Sequence, residues 1–202
     1  MNSPLSAEQR AVLLKAFWMP SVQTMVSRKS SITNAFVNAI IPVIEPSEAE
    51  VDEVLAIFGM LPTAMQCVYC GNPSSEWDHL RPLVVKLRPT GYISEIANLV
   101  PACGKCNQSK RNESWRTWMI STTAPLSPTS RGIADVAERM KRLEAFEKWR
   151  EPTRIDFEAI LGPKDWAGYW DMWERINADM VKCQTMANTL LKRVQQSLQK
   201  PG

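Results

Sequence analysis

Two pairs of cysteines in this chain have the spacing of metal ligands. Cys67 and Cys70 form one Cys-x-x-Cys, and Cys103 and Cys106 form another. A tetrahedral zinc ion takes four ligands, which two tight turns of this kind supply together. The N-terminus lacks a secretory signal, so we expect a cytoplasmic protein, in which such cysteines are rarely disulfides. The spacing therefore predicts one structural zinc ion per chain.

A second group of polar residues stands between and just after these pairs. His79 is the only histidine in the chain, and it directly follows Asp78. The order of motifs resembles that of the HNH endonucleases of the ββα-metal class. The residues that carry this resemblance are Cys67-x-x-Cys70, Asp78-His79-x-x-Pro82, Asn98-Leu99-Val100 and Cys103-x-x-Cys106-Asn107-x-x-Lys110. They cover about a quarter of the chain, and the zinc pairs and the catalytic positions agree with the family pattern simultaneously.

The sequence departs from the family pattern at two places. Asn107 stands where some members have histidine, and Thr90-Gly91 stands where a pair of glycines is common. Family members with asparagine and those with histidine at the position of Asn107 both resemble active enzymes. The departure at Thr90-Gly91 bears on the shape of a loop more than on the chemistry. The run from Thr90 to Ala102 is also similar to that of stand-alone restriction-type members, so the resemblance implies a type II restriction enzyme.

The residue types agree with the chemistry that the resemblance implies. An imidazole with a pKa of about 6.5 can take a proton from water at neutral pH, so His79 is the predicted general base. Asp78 and Asn107 offer oxygen ligands of the kind that magnesium prefers, and they are the predicted site of a catalytic cation. Neighbouring strand residues point to opposite faces, so Asp78 would face the helix and His79 the scissile phosphate. The resemblance implies that Asn98 orients the imidazole.

Basic residues are concentrated in the same region. Residues 78–116 contain seven Lys or Arg against three Asp or Glu, although the net charge of the whole chain is only +3. A local basic surface suits contact with phosphates, and charge alone fits a solvated surface equally well. The predicted DNA-binding residues are Arg81, Lys86, Arg88, Lys105, Lys110, Arg111 and Arg116.

These residues must be positioned by a hairpin and a helix. Residues 77–83 and 98–102 can form two strands, and residues 107–118 a helix across them, with Trp115 and Trp118 packed inward. We therefore expect a ββα-metal module at 67–120. A segment of about fifty residues has little core, so zinc would hold it together.

The flanking regions have helical patterns. Residues 1–66 contain two capping boxes, Ser6 with Gln9 before AVLLKAFW and Ser47 with Glu50. In residues 121–202, a Pro- and Ser-rich connector at 122–132 precedes apolar positions at helical spacing between Val136 and Trp149, then a helix over about 165–199. The sequence predicts a mostly helical α+β protein in which the module lies between two helical regions, and the C-terminal tryptophans belong to the core.

Several functions share some of these features. A zinc-ribbon nucleic-acid-binding protein or a zinc-stabilised scaffold needs cysteines and basic residues, but neither needs Asp78, His79 and Asn107 together. We therefore expect an endonuclease that hydrolyses double-stranded DNA, with restriction enzymes favoured over phage packaging, nicking or homing enzymes. Because one module cuts one strand at a time, a double-strand cut favours a homodimer. The long apolar stripe of the C-terminal helix could supply its interface.

Overall fold

The computed structural model describes residues 6–16 and 20–198. Within them it contains eight α-helices and four short strands. Their bounds, in chain order, are α1 Ala7–Ala16, α2 Lys29–Asn38, α3 Glu48–Phe58, β1 Glu76–His79, β2 Val84–Val85, β3 Arg88–Pro89, β4 Leu99–Ala102, α4 Gly104–Lys110, α5 Trp115–Ile120, α6 Val136–Trp149, α7 Phe157–Leu161 and α8 Pro163–Leu198. This is the predicted mostly helical α+β fold.

The central hairpin is formed by β1 and β4, which pair antiparallel with Asp78 opposite Val100 and His79 opposite Leu99. The helix α4 follows β4 directly, so the predicted strand, strand and helix order is confirmed. The prediction of one helix from Asn107 to Trp118 is wrong. The helix α4 ends at Lys110, because Arg111 has a positive φ of 51°, and α5 starts at Trp115.

The module shares its core with the flanking helices. Trp118 and Tyr69 are fully buried and meet edge to face, with ring centroids 5.2 Å apart. Phe58 of α3 and Phe146 of α6 belong to the same cluster, with their ring centroids 5.3 Å apart. Trp115 is buried too, so the predicted inward packing of both tryptophans is confirmed. Helices on either side of the module therefore complete a core that the module is too small to build alone.

A second cluster holds α2 against the segment that follows β1. Val37 of α2 packs in it with Leu83 and Val84. Trp170 and Trp173 of α8 are buried there, so the interpretation of the C-terminal tryptophans as core is confirmed. Trp173 Nε1 donates a hydrogen bond to Thr33 Oγ1 over 3.0 Å. These contacts fix the position of α2 along the chain segment after His79.

The chain divides into two compact units, one made of residues 30–176 and the other of the described residues among 1–29 and 177–202. The first unit holds both clusters and the whole hairpin. The second contains α1 and the last turns of α8. The predicted long helix is confirmed as Pro163–Leu198, with Gln199 outside the described residues. Among the described residues, no helix is both long and apolar enough to cross a membrane.

The capping boxes are found as predicted. Ser6 and Gln9 exchange hydrogen bonds at the start of α1, and Ser47 and Glu50 do so at the start of α3. The predicted continuation of the first helix into Phe17 and Trp18 lies outside the described residues.

Candidate active site

The four predicted zinc ligands meet at one point. The sulfur atoms of Cys67, Cys70, Cys103 and Cys106 all lie within 4.8 Å of one another, and no disulfide joins them. A tetrahedral zinc with Zn–S bonds of about 2.3 Å separates its sulfurs by about 3.8 Å. Cys70 Sγ and Cys103 Sγ are 3.7 Å apart. The buried cluster therefore has the spacing and the thiol chemistry of a structural zinc site.

Two arginines outside the cluster contact it. Arg131 Nη1 donates to Cys106 Sγ over 3.4 Å, and Arg139 Nη1 donates to the carbonyl oxygen of Cys67 over 3.3 Å. Hydrogen bonds from Cys106 and Cys67 hold the pKa of Cys70 well below its ordinary value. Positive charge beside thiolates favours their deprotonated, metal-binding form. The sequence contained no signal for Arg131, because it lies in the connector.

Asp78 points from β1 to the helix side, as predicted, and is buried there. Its carboxylate accepts hydrogen bonds from the Tyr69 hydroxyl over 2.5 Å and from Lys110 Nζ, which lies 3.0 Å from Oδ2 and 3.2 Å from Oδ1. Burial raises the pKa of Asp78, and the Lys110 charge opposes that shift. Tyr69 lies between two zinc ligands in sequence, but nothing in its spacing indicated this contact.

His79 is half-buried and borders the same cleft. Its Nε2 lies 2.9 Å from the hydroxyl oxygen of Ser94. Burial and the nearby Lys110 charge lower the pKa of His79 to about 4. The imidazole is therefore neutral at pH 7, which is the form that can accept a proton.

Asn107 lies on α4 and faces the start of β1. Its Nδ2 donates a hydrogen bond of 2.6 Å to Glu76 Oε2. A Cβ on the neighbouring Gly104 would meet Glu76 Oε1 at 2.8 Å, so glycine permits the carboxylate to sit this close to α4. Sequence reasoning missed this contact between Glu76 and Asn107.

Asn98 has a different partner from the expected one. It is fully buried, its Oδ1 accepts from the Arg81 backbone N–H over 2.8 Å, and its Nδ2 donates to the Arg81 and Ile93 carbonyls. Ser94, and not Asn98, makes the hydrogen bond to the imidazole. Asn98 ties together the backbone on both sides of His79 and Ser94, so its influence on the imidazole is indirect.

The predicted basic surface is smaller than the charge count indicated. Lys110 is fully buried against Asp78 and is not exposed to solvent, so its interpretation as a DNA contact is corrected. Arg81 and Arg116 form ion pairs with Glu147, and Arg88 lies over the Trp170 and Trp173 rings. Lys86, Lys105, Arg111 and Arg116 are exposed, and of these four Arg116 is the one paired with Glu147. Internal carboxylates and rings thus hold the other cations.

Asp78, His79 and Asn107 line one open cleft of about 250 Å³. Its lining residues are Asn34, Asn38, Asp78, His79, Leu83, Val84, Asn107, Arg111 and Asn112. The structure thus brings together three of the four predicted catalytic residues. Asp78 and Asn107 supply carboxylate and amide oxygens, a donor set that fits a hard divalent cation. A neutral imidazole beside such donors can serve hydrolysis by an activated water.

Comparison with known proteins agrees with this geometry. Residues 67–113 match the family model described as HNH endonuclease. The chain is 31% identical over 94 residues to a CRISPR-associated endonuclease Cas9 from Corynebacterium diphtheriae, an alignment that covers 41% of this chain and 8% of the relative. No solved structure matches the chain significantly. Residues 67–113 thus have the sequence pattern of an HNH endonuclease domain.

Proposed function

We propose that this protein is a magnesium-dependent endonuclease that hydrolyses phosphodiester bonds of double-stranded DNA. The observation that carries the proposal is that Asp78, His79 and Asn107 border one cleft in a segment that matches the HNH endonuclease family. A binding protein or a scaffold would need the cysteine cluster but not this combination of a base and oxygen donors.

His79 acts as the general base. With the Nε2 proton donated to Ser94 Oγ, the lone pair of Nδ1 is available to take a proton from the attacking water. The depressed pKa keeps this nitrogen unprotonated at neutral pH. Asn98 holds the two backbone segments that carry His79 and Ser94, and thereby keeps the base in position.

Asp78 and Asn107 would hold the divalent cation. When bound, the cation would neutralise negative charge on the phosphate and on the leaving oxygen. Glu76 lies within reach of the same donor set through its hydrogen bond to Asn107. Lys110 neutralises Asp78 from the buried side and fixes the orientation of its carboxylate. Both oxygen donors are thus positioned by contacts within the hairpin and α4.

Lys86, Lys105 and Arg111 are the proposed contacts to the DNA backbone, since their side chains are exposed. Arg111 also lines the catalytic cleft, where a cation can contact the phosphate beside the scissile bond. Arg81, Arg88 and Arg116 would contribute only if their internal partners released them.

We further propose that the biological role is restriction, carried out by a homodimer. Each chain has one general base, so two chains related by a two-fold axis would cut both strands of a symmetric site. The aligned relative is a CRISPR-associated endonuclease, and the chain spans 8% of its length. A nicking or packaging enzyme is the alternative, and it would leave one strand intact.

The test is cleavage by the purified chain and by His79→Ala. Double-stranded DNA, single-stranded DNA and RNA are incubated with magnesium, and the ends are sequenced. We expect double-stranded DNA to be cut, and His79→Ala to lose about 100-fold to 10,000-fold in rate, because only the base is removed. Equal rates for the two proteins would exclude His79 as the base.

The variant Asp78→Asn tests cation binding once circular dichroism shows that it is folded, because it leaves the buried Lys110 charge without its carboxylate partner. We expect a higher magnesium concentration at half-maximal rate, because a carboxylate ligand is replaced by an amide. DNA binding measured without magnesium should change little in His79→Ala. Cleavage of RNA alone would contradict the proposed substrate while leaving the nuclease class intact.

A further inference from the structure

Two side chains of the catalytic cleft come from outside the HNH endonuclease segment. Asn34 and Asn38 lie one turn apart on α2 and line the cleft together with Asp78, His79 and Asn107. The helix α2 ends at Asn38, well before the family match begins at residue 67. Their place in the cleft was not visible in the sequence, because α2 reaches the hairpin only through tertiary packing.

The position of α2 is fixed from its opposite side. Val37 is fully buried against the segment that follows His79, and Thr33 Oγ1 accepts a hydrogen bond from Trp173. The Tyr169 hydroxyl donates to the carbonyl oxygen of Phe36 over 2.8 Å. Because the buried face of α2 is held at these points, its exposed asparagines have a defined place at the edge of the cleft.

The lining of this cleft is rich in amides. Four of the nine asparagines of the chain line it, namely Asn34, Asn38, Asn107 and Asn112. Among its described lining residues, Arg111 is the only permanent cation. Asn38 Nδ2 donates to the carbonyl oxygen of Asn34 over 2.8 Å, which holds this amide along the helix surface. The α2 edge of the cleft thus offers only neutral donors and acceptors, whereas the α4 edge adds the positive charge of Arg111 to its amides.

This separation of chemistry matches two parts of a nucleotide. A phosphate attracts the arginine, whereas a base edge presents donors and acceptors side by side, which a planar side-chain amide can match. We propose that Asn34 and Asn38 are specificity-determining residues that contact the base edge of the nucleotide next to the scissile phosphate. This inference rests on the proposed nuclease function and deepens it, because it assigns part of the substrate selection to α2.

The experiment uses the double variant Asn34→Ala with Asn38→Ala in the full chain. A pool of double-stranded DNA with randomised positions is cleaved with magnesium, and the bases flanking each cut are counted. We expect the wild-type chain to prefer particular bases beside the cut. The double variant should lose about tenfold of that preference, the effect of removing an amide contact to a base. The double variant Asn34→Gln with Asn38→Gln keeps both side-chain amides and should retain part of the base preference.

The matched control is Asn188→Ala, which removes an exposed helical asparagine that is absent from the cleft lining. It should leave the base preference unchanged. Zinc content and far-ultraviolet circular dichroism check that each variant is folded. An unchanged preference in the double variant overturns the inference, and so does a uniform loss of rate, which would mean a contact to phosphate or a role in folding. Absence of any base preference in the wild-type chain overturns it too.

Failure of the proposed function has a different signature. If the wild-type chain cleaves no DNA, both proposals fall. If cleavage survives His79→Ala but the double variant loses base preference, the assignment of the base is wrong while the role of α2 stands. If His79→Ala abolishes cleavage and the double variant keeps the preference, only the role of α2 is wrong.

Discussion

Asp78 and His79 are neighbours in sequence but lie in different environments. The alternation of β1 buries Asp78 against Tyr69 and Lys110, and it leaves His79 half-buried beside Ser94. A carboxylate in such a position needs its charged partner, because an unpaired buried charge is costly. One strand thus separates the proposed cation ligand Asp78, which is paired with Lys110, from the proposed base His79.

The pH dependence of cleavage reports the environment of His79. Burial disfavours the imidazolium form, so the folded pKa of about 4 lies below the ordinary value. The base therefore stays active as the pH falls from neutral and loses its proton-accepting form only near its folded pKa. At pH of about 5.5, an imidazole with a pKa of about 6.5 would be only about one-tenth neutral.

Initial rates at saturating magnesium are measured between pH values of about 4.5 and 8. We expect the rate to decrease only at pH values well below about 6. A midpoint near the ordinary histidine value would contradict the burial of His79 in the active protein. The zinc content at each pH controls for loss of the fold.

Ser94→Ala removes the hydrogen bond to Nε2 without removing the base. We expect the maximal rate to fall about tenfold or more, because the imidazole loses the partner that fixes its orientation and tautomer. The backbone bonds of Ser94 to Pro42 and Ile44 remain available to alanine. Ser94→Thr keeps a hydroxyl and should restore part of the rate. Equal rates in Ser94→Ala and wild type would show that this contact does not position the base.

At the scale of elements, the four-cysteine cluster joins two segments that the pairing of β1 with β4 also brings together. Cys67 and Cys70 precede β1, whereas Cys103 is the N-cap of α4 and Cys106 lies within it. A zinc ion bound by the four cysteines would fix the start of α4 relative to the turn before the hairpin. The break after Lys110 then lets α5 bury its tryptophans independently of α4.

Cys103→Ser tests this role of the cluster. We expect zinc to be lost and the melting temperature to fall sharply, because the free energy of metal binding is part of the folding free energy of such a module. Purified wild-type protein should retain about one zinc per chain after dialysis. The control is Cys183→Ser, since Cys183 is exposed and lies outside the cluster. Retention of zinc and thermal stability in Cys103→Ser would refute the structural role.

At the scale of the whole molecule, flanking helices complete what the hairpin begins. The helices α3 and α6 close one core, and α2 and α8 close the other. The last turns of α8 have a different character, because Leu190, Val194 and Leu198 lie on one face at intervals of four and are exposed in the described chain. An exposed apolar stripe of this kind is typical of a helix that pairs with a partner.

Light scattering at micromolar concentration tests the homodimer. We expect a mass near twice the 22.8 kDa of one chain, with linear DNA as the product. Leu190→Asp combined with Val194→Asp should give a monomer that nicks DNA, because charges disrupt an apolar interface. A wild-type particle of one chain mass, both free and bound to DNA, would reject the dimer.

The sequence by itself determined the four-cysteine cluster and the order of the hairpin and helix, and it singled out His79 as the candidate base. These features depend on residue type and local spacing, since two ligands in one turn, or a strand beside a cysteine pair, are set within a few residues. The sequence did not predict that Lys110 pairs with Asp78, because Lys110 reaches the carboxylate only after α4 has packed on β1.

Only the tertiary structure decided which basic residues form ion pairs, which residue contacts the imidazole, and which helix borders the cleft. Arg81 and Arg116 carry the same charge in sequence as Lys105, but Glu147 of α6 binds the first two. Ser94 and His79 are fifteen positions apart. Contacts of this range depend on how separate elements pack, which a local pattern of residue types does not specify.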